Sequence, residues 1–480
     1  MCLFLGIAQS SIRLISPYFT EDHFSGGRPI IARRPDAPEP YFSLGNILNE
    51  LRRPGPAIDA YRRALALRPN FAEVYVNLGN ALQLSEAFEE AVDAYEQAIA
   101  LRPTLADAHA NKGAALERLG RLGEAIASFR RAVELDPSLL AVRVWLHHKR
   151  RMICDWSEID ADEAELRQLI SARDEPVHPF PVLSMATNAD EQLRVARRFA
   201  SGFSIGGPGF EHKRDASGPR KLRIGYLSSD FCRHATALLT AQLFELHDRS
   251  RFEITAYSHG VDDYSELGAR LRKAFDHFVD LRAFSDDEAA KRINADGTDI
   301  LIELKGHTDG ARTGISARRP APVQVSFIGF PGTLGADFID YVIADPFVLP
   351  MDQQSRFSEK IVHLPHCYQP NDTSRLISDV TPTRAQCGLP EKGFVFCSFN
   401  NNYKITPAFF DVWMRLLLAA PGSVLWLLEA NDLVKDNLRR EASQRGVDPS
   451  RLIFAPRLAS PERGDGGHFW QDAPKSDRRP

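Results

Sequence analysis

Five positions of the chain recur three times at a spacing of 34 residues: Gly45, Gly79 and Gly113; Ala57, Ala91 and Ala125; Tyr61, Tyr95 and Phe129; Ala64, Ala98 and Ala132; and Pro69, Pro103 and Pro137. No other feature constrains the fold as strongly. In a unit of this length the small residues let two helices approach closely, and the aromatic side chain fills the space between them. The proline stops the second helix, because it lacks an amide hydrogen and its ring clashes with the preceding turn. Each unit is a helix-turn-helix that cannot bury its apolar face alone, so the units stack into an α-solenoid.

The units span residues 38–71, 72–105 and 106–139 and follow the tetratricopeptide pattern. Such an array is either a plain helical scaffold or a concave surface for an extended protein or peptide. Residues 1–37 read as an irregular segment with the remnant of a repeat, since Pro35 stands where an earlier unit would end. Met1 to Ala8 are apolar, have no basic leader and are too few to span a bilayer. A formal net charge of -4 over 480 residues gives no bulk attraction to nucleic acid or a membrane, and neither is expected as a partner. The six cysteines form no C-x-x-C pair, which suits a reducing cytoplasm and argues against disulfide or zinc frameworks. Most of them are expected to be free and buried.

Residues 140–220 read as a helical tether, with helices over Leu140 to Arg151 and Ile159 to Ala172 and then a stretch rich in Pro and Gly. Asp155-Trp156 within it suggests no chemistry. From residue 221 the texture becomes α/β. Strands are expected at Leu222–Leu227, Phe252–Tyr257, Phe278–Asp280, Ile300–Glu303, Val323–Ile328 and Tyr341–Ala344, with amphipathic helices between them. That alternation implies a parallel sheet with right-handed crossovers. A second α/β unit opens near Gly393, with strands at Phe394–Phe399, Ser423–Leu428 and Leu452–Ala455.

Several loops after strands could carry chemistry. The strand at Leu222 runs into Ser228-Ser229-Asp230-Phe231-Cys232-Arg233-His234 and then a helical pattern. Strand ends of this kind form ligand-binding crevices in open α/β sheets, and His234 is either a helix-capping residue or a proton carrier there. His307 lies in Lys305 to Arg312. Gly329, Gly332 and Gly335 could leave backbone amides free to face anionic oxygens. In Phe399 to Lys404, a lysine beside a helix start is a natural phosphate partner.

Together these segments resemble the protein O-linked N-acetylglucosaminyltransferases, which join tetratricopeptide repeats to a two-lobed catalytic core. The resemblance rests on Gly225 to Phe231 with His234, Gly306 to Arg312, Arg319 to Gln324, Gly329 to Ala336, Ser358-Glu359-Lys360 with Leu364-Pro365-His366, and Phe399 to Lys404. It covers residues 38–462. It implies an α-solenoid followed by an α/β GT-B core: two Rossmann-like lobes, residues 221–390 and 391–462, with the second incomplete. The implied reaction is inverting transfer of N-acetylglucosamine from UDP-N-acetylglucosamine to Ser or Thr of a protein, with no cofactor and no metal. Transfer of fucose from GDP-fucose by the same fold, and a non-catalytic adaptor, are the alternatives. By the resemblance His234 is catalytic, Lys404 neutralises the donor diphosphate and Asn401 lies on the same loop. His307 and the loop Gly332, Thr333, Leu334 and Gly335 are expected near the sugar or the acceptor.

After Pro461-Glu462 the family pattern stops, and residues 463–480 read as a polar, disordered tail. The family's base- and ribose-binding segments lie beyond that point. Weak donor binding and little transfer are therefore expected, with apolar faces and a sheet edge of the second lobe left open.

Overall fold

The structure is a computed structural model that describes residues 36–51, 53–203, 210–212, 220–375 and 381–455. Cys2, the remnant repeat before residue 36 and the expected tail at 463–480 lie outside the described residues. The chain divides into two compact units. One holds Arg167–Arg375, and the other holds the repeats up to Leu166 together with the residues from Leu376 onward.

In the second of these units the repeats form three antiparallel helix pairs: α1 (Pro38–Glu50) with α2 (Pro54–Leu67), α3 (Ala72–Leu84) with α4 (Phe88–Leu101), and α5 (Ala106–Arg118) with α6 (Leu122–Leu135). Pro69, Pro103 and Pro137 each follow the end of a second helix, as a helix-stopping residue should. Tyr61, Tyr95 and Phe129 are fully buried, each against the glycine of its own unit. Asparagines cross-link the stack. Asn46 Oδ1 accepts from the Tyr61 hydroxyl and from Asn77 Nδ2, both at 2.8 Å, and Asn80 Oδ1 accepts likewise from Tyr95 at 2.7 Å and Asn111 at 3.0 Å.

The close helix approach makes a sharp prediction. A Cβ placed on Gly79 would stand 2.5 Å from Cε1 of Tyr95, and that ring is held by its own hydrogen bonds to Asn80 and Gln83. Gly79→Ala is expected to destabilise the solenoid by about 1–3 kcal/mol through overpacking. A thermal melt followed by helical circular dichroism reads this, and an unchanged midpoint would show that the ring can yield.

Residues 140–203 are more than a tether. Helix α7 (Leu140–Met152) extends the stack, and its last turn buries His147, His148, Lys149, Arg150 and Arg151. These charges have partners: Lys149 meets Glu117, Arg151 meets Glu163, and Arg150 binds Asp155 and Asp162. Asp155 thus closes the α7 turn, and its neighbour Trp156 enters a hydrophobic core. Helix α8 (Ile159–Ala172) crosses the boundary between the units. Beyond it α9 (Pro179–Val182) and α10 (Ala189–Ser201) belong to the other unit. Asn188 and Glu191 form a capping box at the start of α10.

That unit is built on a seven-stranded parallel sheet of order β3-β2-β1-β4-β5-β6-β7. The strands are β1 (Leu222–Ser228), β2 (Phe252–Ser258), β3 (His277–Asp280), β4 (Ile300–Glu303), β5 (Val323–Ser326), β6 (Tyr341–Ala344) and β7 (Lys360–His363). Helices α11 (Ala235–Glu245), α12 (Glu266–Ala274), α13 (Asp286–Ala295) and the short α14 (Thr313–Ala317) make the crossovers. The seventh strand was not expected from the sequence. The fifth is shorter than expected, because Ile328 turns to φ +63° and Gly329 packs where a Cβ would lie 2.0 Å from the Leu304 carbonyl. The chain bends there against the end of β4.

Three parallel strands, β8 (Val395–Ser398), β9 (Val424–Leu428) and β10 (Leu452–Ala455), form the sheet of the repeat-containing unit in the order β10-β9-β8. Helix α15 (Pro407–Ala419) and helix α16 (Asp432–Gln444) connect them. Their core includes Ile126, Ile153, Cys154 and Trp156 from the solenoid side along with Phe410, Met414, Leu417 and Leu438. Among the described residues no helix is long and apolar enough to cross a membrane. The five described cysteines are free, but only Cys154 and Cys387 are buried, fewer than the sequence suggested.

Candidate active site

In the seven-stranded sheet the order reverses between β1 and β4: β2 and β3 lie on one side, the later strands on the other. The carboxyl ends of the strands at such a reversal are the usual ligand position in open α/β sheets. Residues 228–234 leave β1 and residues 304–312 leave β4, so the structure brings two of the sequence motifs together.

His234 is the N-cap of α11, with extended backbone at φ -139° and ψ 154°. Its side chain is about half exposed, at 46 %. His234 thus stands in the capping position while its ring is open to solvent. Nδ1 lies 3.2 Å from the Thr236 amide and 3.2 Å from Asp230 Oδ2. Burial pulls the imidazole below its ordinary titration range, and the Asp230 carboxylate acts in the opposite direction.

Asp230 and Lys305, to which their sequence motifs assign no role, join the two loops. Lys305 Nζ donates to Asp230 Oδ1 at 2.8 Å and to Oδ2 at 3.0 Å, and both side chains are buried. Ser229 Oγ adds a donor to Oδ1 at 3.0 Å. Behind them the buried Glu303 carboxylate accepts the amides of Lys305 at 2.9 Å and of Gly306. Burial raises its pKa to about 7.

His307 is buried rather than presented at these strand ends. It is only 1 % exposed, and its Nε2 lies 2.8 Å from the Leu334 carbonyl. Burial lowers its pKa to about 4, so the ring is neutral and donates that bond. His307 ties the turn after β4 to the loop at 329–336 and packs against Phe199 and Phe330.

The glycine-rich loop also differs from its sequence reading. Glu359, fully buried at the start of β7, accepts from the Thr333 hydroxyl at 2.7 Å and from the Leu334 amide at 2.6 Å. The Gly335 amide donates to Thr333 Oγ1 at 3.1 Å. Of the glycine amides expected to face an anion, that of Gly335 is thus bonded inside the loop, and that of Gly329 donates to the Phe327 carbonyl at 2.8 Å. Gly335, at φ +64°, packs where a Cβ would lie 2.3 Å from the Arg197 amide nitrogen of α10. Gly332 is half-buried, while Thr333 and Leu334 are buried. The Ser358-Glu359-Lys360 motif is the anchor of this loop, a role hidden in the sequence because the partners are 25 and 26 residues apart.

Lys404 and Asn401 belong to the repeat-containing unit. They lie at the carboxyl end of β8, where a 3₁₀ turn, Asn402–Lys404, precedes α15. Both are exposed, and the Lys404 amide donates to the Asn401 carbonyl at 2.9 Å. Among the described residues the Lys404 ammonium forms no ion pair. The turn rests on the solenoid: the Tyr403 ring lies 5.7 Å from His148 of α7, and Cys154 Sγ lies 3.8 Å from the Asn402 carbonyl. The start of α15 has little left to offer an anion. Pro407 has no amide hydrogen, and the Phe409 amide already donates to the Thr406 hydroxyl at 3.3 Å. The positive charge available in this loop is the Lys404 ammonium more than helix amides. Among the described residues no group of three or more His, Cys, Asp or Glu is placed to hold a metal ion.

Comparison with known proteins agrees with this arrangement. The model of glycosyl transferase family 41 matches residues 153–381 and 371–469. Tetratricopeptide models match residues 56–86, 84–120 and 106–139. A probable UDP-N-acetylglucosamine–peptide N-acetylglucosaminyltransferase SEC of Arabidopsis thaliana is 38% identical over 330 residues, covering 64% of this chain and 34% of the plant protein. A UDP-N-acetylglucosamine–peptide N-acetylglucosaminyltransferase of Caenorhabditis elegans is 28% identical over 438 residues, covering 65% of this chain and 38% of the relative. The chain thus spans little more than a third of the length of either. A solved mutant O-GlcNAc transferase of Thermobaculum terrenum superposes with a TM-score of 0.59 at 25% identity, covering 88% of this chain and 75% of that one. With tetratricopeptide repeats, a parallel α/β core and a family match across residues 153–469, the chain belongs to glycosyl transferase family 41.

Proposed function

We propose that the chain is a protein O-N-acetylglucosaminyltransferase that takes UDP-N-acetylglucosamine as donor and Ser or Thr hydroxyls of proteins as acceptors. The observation that carries this reading is His234. It is a half-exposed, neutral imidazole at the switch point of a parallel sheet, in a chain of family 41. In this reading the acceptor hydroxyl gives its proton to His234 as it attacks the anomeric carbon of the sugar, and the bond to the donor diphosphate breaks with inversion. Lys404 stabilises the negative charge that builds on the departing diphosphate, and Asn401 lies beside it on the same turn. His307 and the loop Gly332, Thr333, Leu334 and Gly335 act by shaping the wall of the site rather than by touching the reacting atoms. The repeats hold the protein acceptor, and the reaction needs no cofactor and no metal.

Calorimetric titration of the chain with UDP and GDP tests the donor. Saturable binding of UDP is expected. Binding of GDP alone would favour the fucose reading, and binding of neither would favour a non-catalytic adaptor. Lys404→Ala is expected to weaken UDP binding roughly ten- to a hundredfold, the effect of removing one charged hydrogen bond of about 1.5–3 kcal/mol.

A further inference from the structure

His234 Nδ1 has two neighbours that make opposite demands on it. The Thr236 amide at 3.2 Å requires a bare nitrogen, whereas Asp230 Oδ2 at the same distance requires a protonated one. The two arrangements leave opposite chemistry at Nε2. If Nδ1 accepts from Thr236, the neutral ring carries its proton on Nε2 and has nothing with which to take another. If Nδ1–H donates to Asp230, Nε2 keeps a lone pair toward solvent.

Asp230 is unusually committed for a carboxylate in this position. Lys305 reaches both oxygens, Ser229 reaches Oδ1, and the Asp230 amide donates to Ser228 Oγ at 2.9 Å, which fixes its backbone. With His234 as the third donor and fourth contact, all four lone-pair positions of the carboxylate are filled. Lys305 is held in turn by the end of β4, where Glu303 accepts its amide. A bond from imidazole to carboxylate is stronger than one from an amide to imidazole, and the Thr236 amide at a helix start can be satisfied by water. We propose that Asp230, clamped by Lys305, is a positioning residue that holds His234 with its proton on Nδ1 and its Nε2 open as the proton acceptor. Nothing in the sequence motifs alone distinguishes this chain of residues, because Lys305 lies 75 positions from Asp230.

The charged groups that face this assembly are few. His234 sees Asp230 and Lys305. Asp230 sees Lys305, with Glu303 behind it on β4. Asp263 accepts the Arg233 amide at 2.6 Å beside the loop. Asp230 and Lys305 act on His234 with opposite signs, so removing them should move it in opposite directions. A general loosening of the loop would move it the same way in both variants.

The consequence for transfer rests on the reading of His234 as the base, but the geometry can be tested without it. Nitrogen-15 imidazole NMR of the full chain, with His234 identified by its loss in His234→Ala, reads both tautomer and titration. In the unsubstituted protein the neutral ring is expected to be protonated on Nδ1. Protonation on Nε2 would overturn the proposal whatever the variants do. Asp230→Asn is expected to shift the ring to the Nε2–H form and lower its midpoint by about one pH unit, while Lys305→Met raises it by about one unit. Shifts in the same direction, or an unchanged tautomer in Asp230→Asn, would also overturn it. If sugar transfer is absent from the unsubstituted chain, the functional reading fails, while the tautomer result still decides the positioning.

Discussion

His234→Ala is expected to lower the rate of N-acetylglucosamine transfer by about 10²–10⁴-fold, the usual loss when a positioned general base is removed. The fold should survive, because the side chain is half exposed and its contacts are limited to Asp230 and the Thr236 amide at the helix start. Loss of such a cap costs about 1 kcal/mol. The sign of the pH dependence follows from burial. Desolvation holds His234 below its ordinary range, so the ring is neutral and able to accept a proton at pH 7. Transfer should fall on the acid side as the ring is protonated and lie flat around neutrality. The check is a rate measurement with UDP-N-acetylglucosamine and a protein acceptor, paired with UDP titration. Rate should collapse while UDP affinity stays within about twofold, since a base acts in the transition state and not on the bound nucleotide. Equal loss of rate and affinity would place His234 in donor binding instead.

What could be read from the sequence depended on whether a signal was local. The solenoid was legible because the same five positions recur in each unit, and Gly45 with Tyr61 or Gly79 with Tyr95 is one small-residue–aromatic pair repeated. The first strand and its loop were legible because Leu222 to His234 changes character within a dozen residues. Partnerships across the fold were not. Glu359 gives no sign in sequence that it pins Thr333 and Leu334, and Lys305 gives none that it clamps Asp230. The glycines at 332 and 335 looked like a ligand cradle because glycine signals close approach without saying to what. Gly335 approaches the backbone of α10. His307 looked like a site residue because an imidazole in a loop after a strand is ambiguous until its burial is known. β7 escaped because its two apolar residues, Ile361 and Val362, are adjacent, so the alternating burial of this short strand has no counterpart in its hydropathy. Trp156 was unreadable for the opposite reason: its partners Phe410 and Leu438 come from the far end of the chain.

That last contact leads to the other large expected effect. Phe410 on α15 is fully buried, 5.3 Å from the Trp156 ring in an edge-on arrangement, with the Arg445 guanidinium 5.5 Å over its face. Its core is shared: Ile126 comes from the third repeat, Ile153, Cys154 and Trp156 from the turn after α7, and Met414, Leu417, Leu425 and Leu438 from the three-stranded α/β unit. Asn437 Nδ2 also donates to the Ile153 carbonyl at 2.7 Å across the same junction. Truncating Phe410 to alanine removes apolar contact from both sides at once and is expected to cost about 3–5 kcal/mol. That is a large part of the 5–15 kcal/mol typical of a domain. A three-stranded sheet with two crossover helices has little core of its own, so this one should not outlast its contact with the solenoid. Loss of amide-exchange protection in Phe410→Ala should therefore appear together in β8, β9, α16 and the α7–α8 turn, while α1 to α4 keep theirs. Loss confined to α15 would show that the solenoid end holds itself. If protection is lost as expected, the Asn402–Lys404 turn, seated on His148 and Cys154, loosens with it. UDP binding through Lys404 should then weaken in a variant that leaves the loop sequence untouched. The solenoid in that case would support the Lys404 turn.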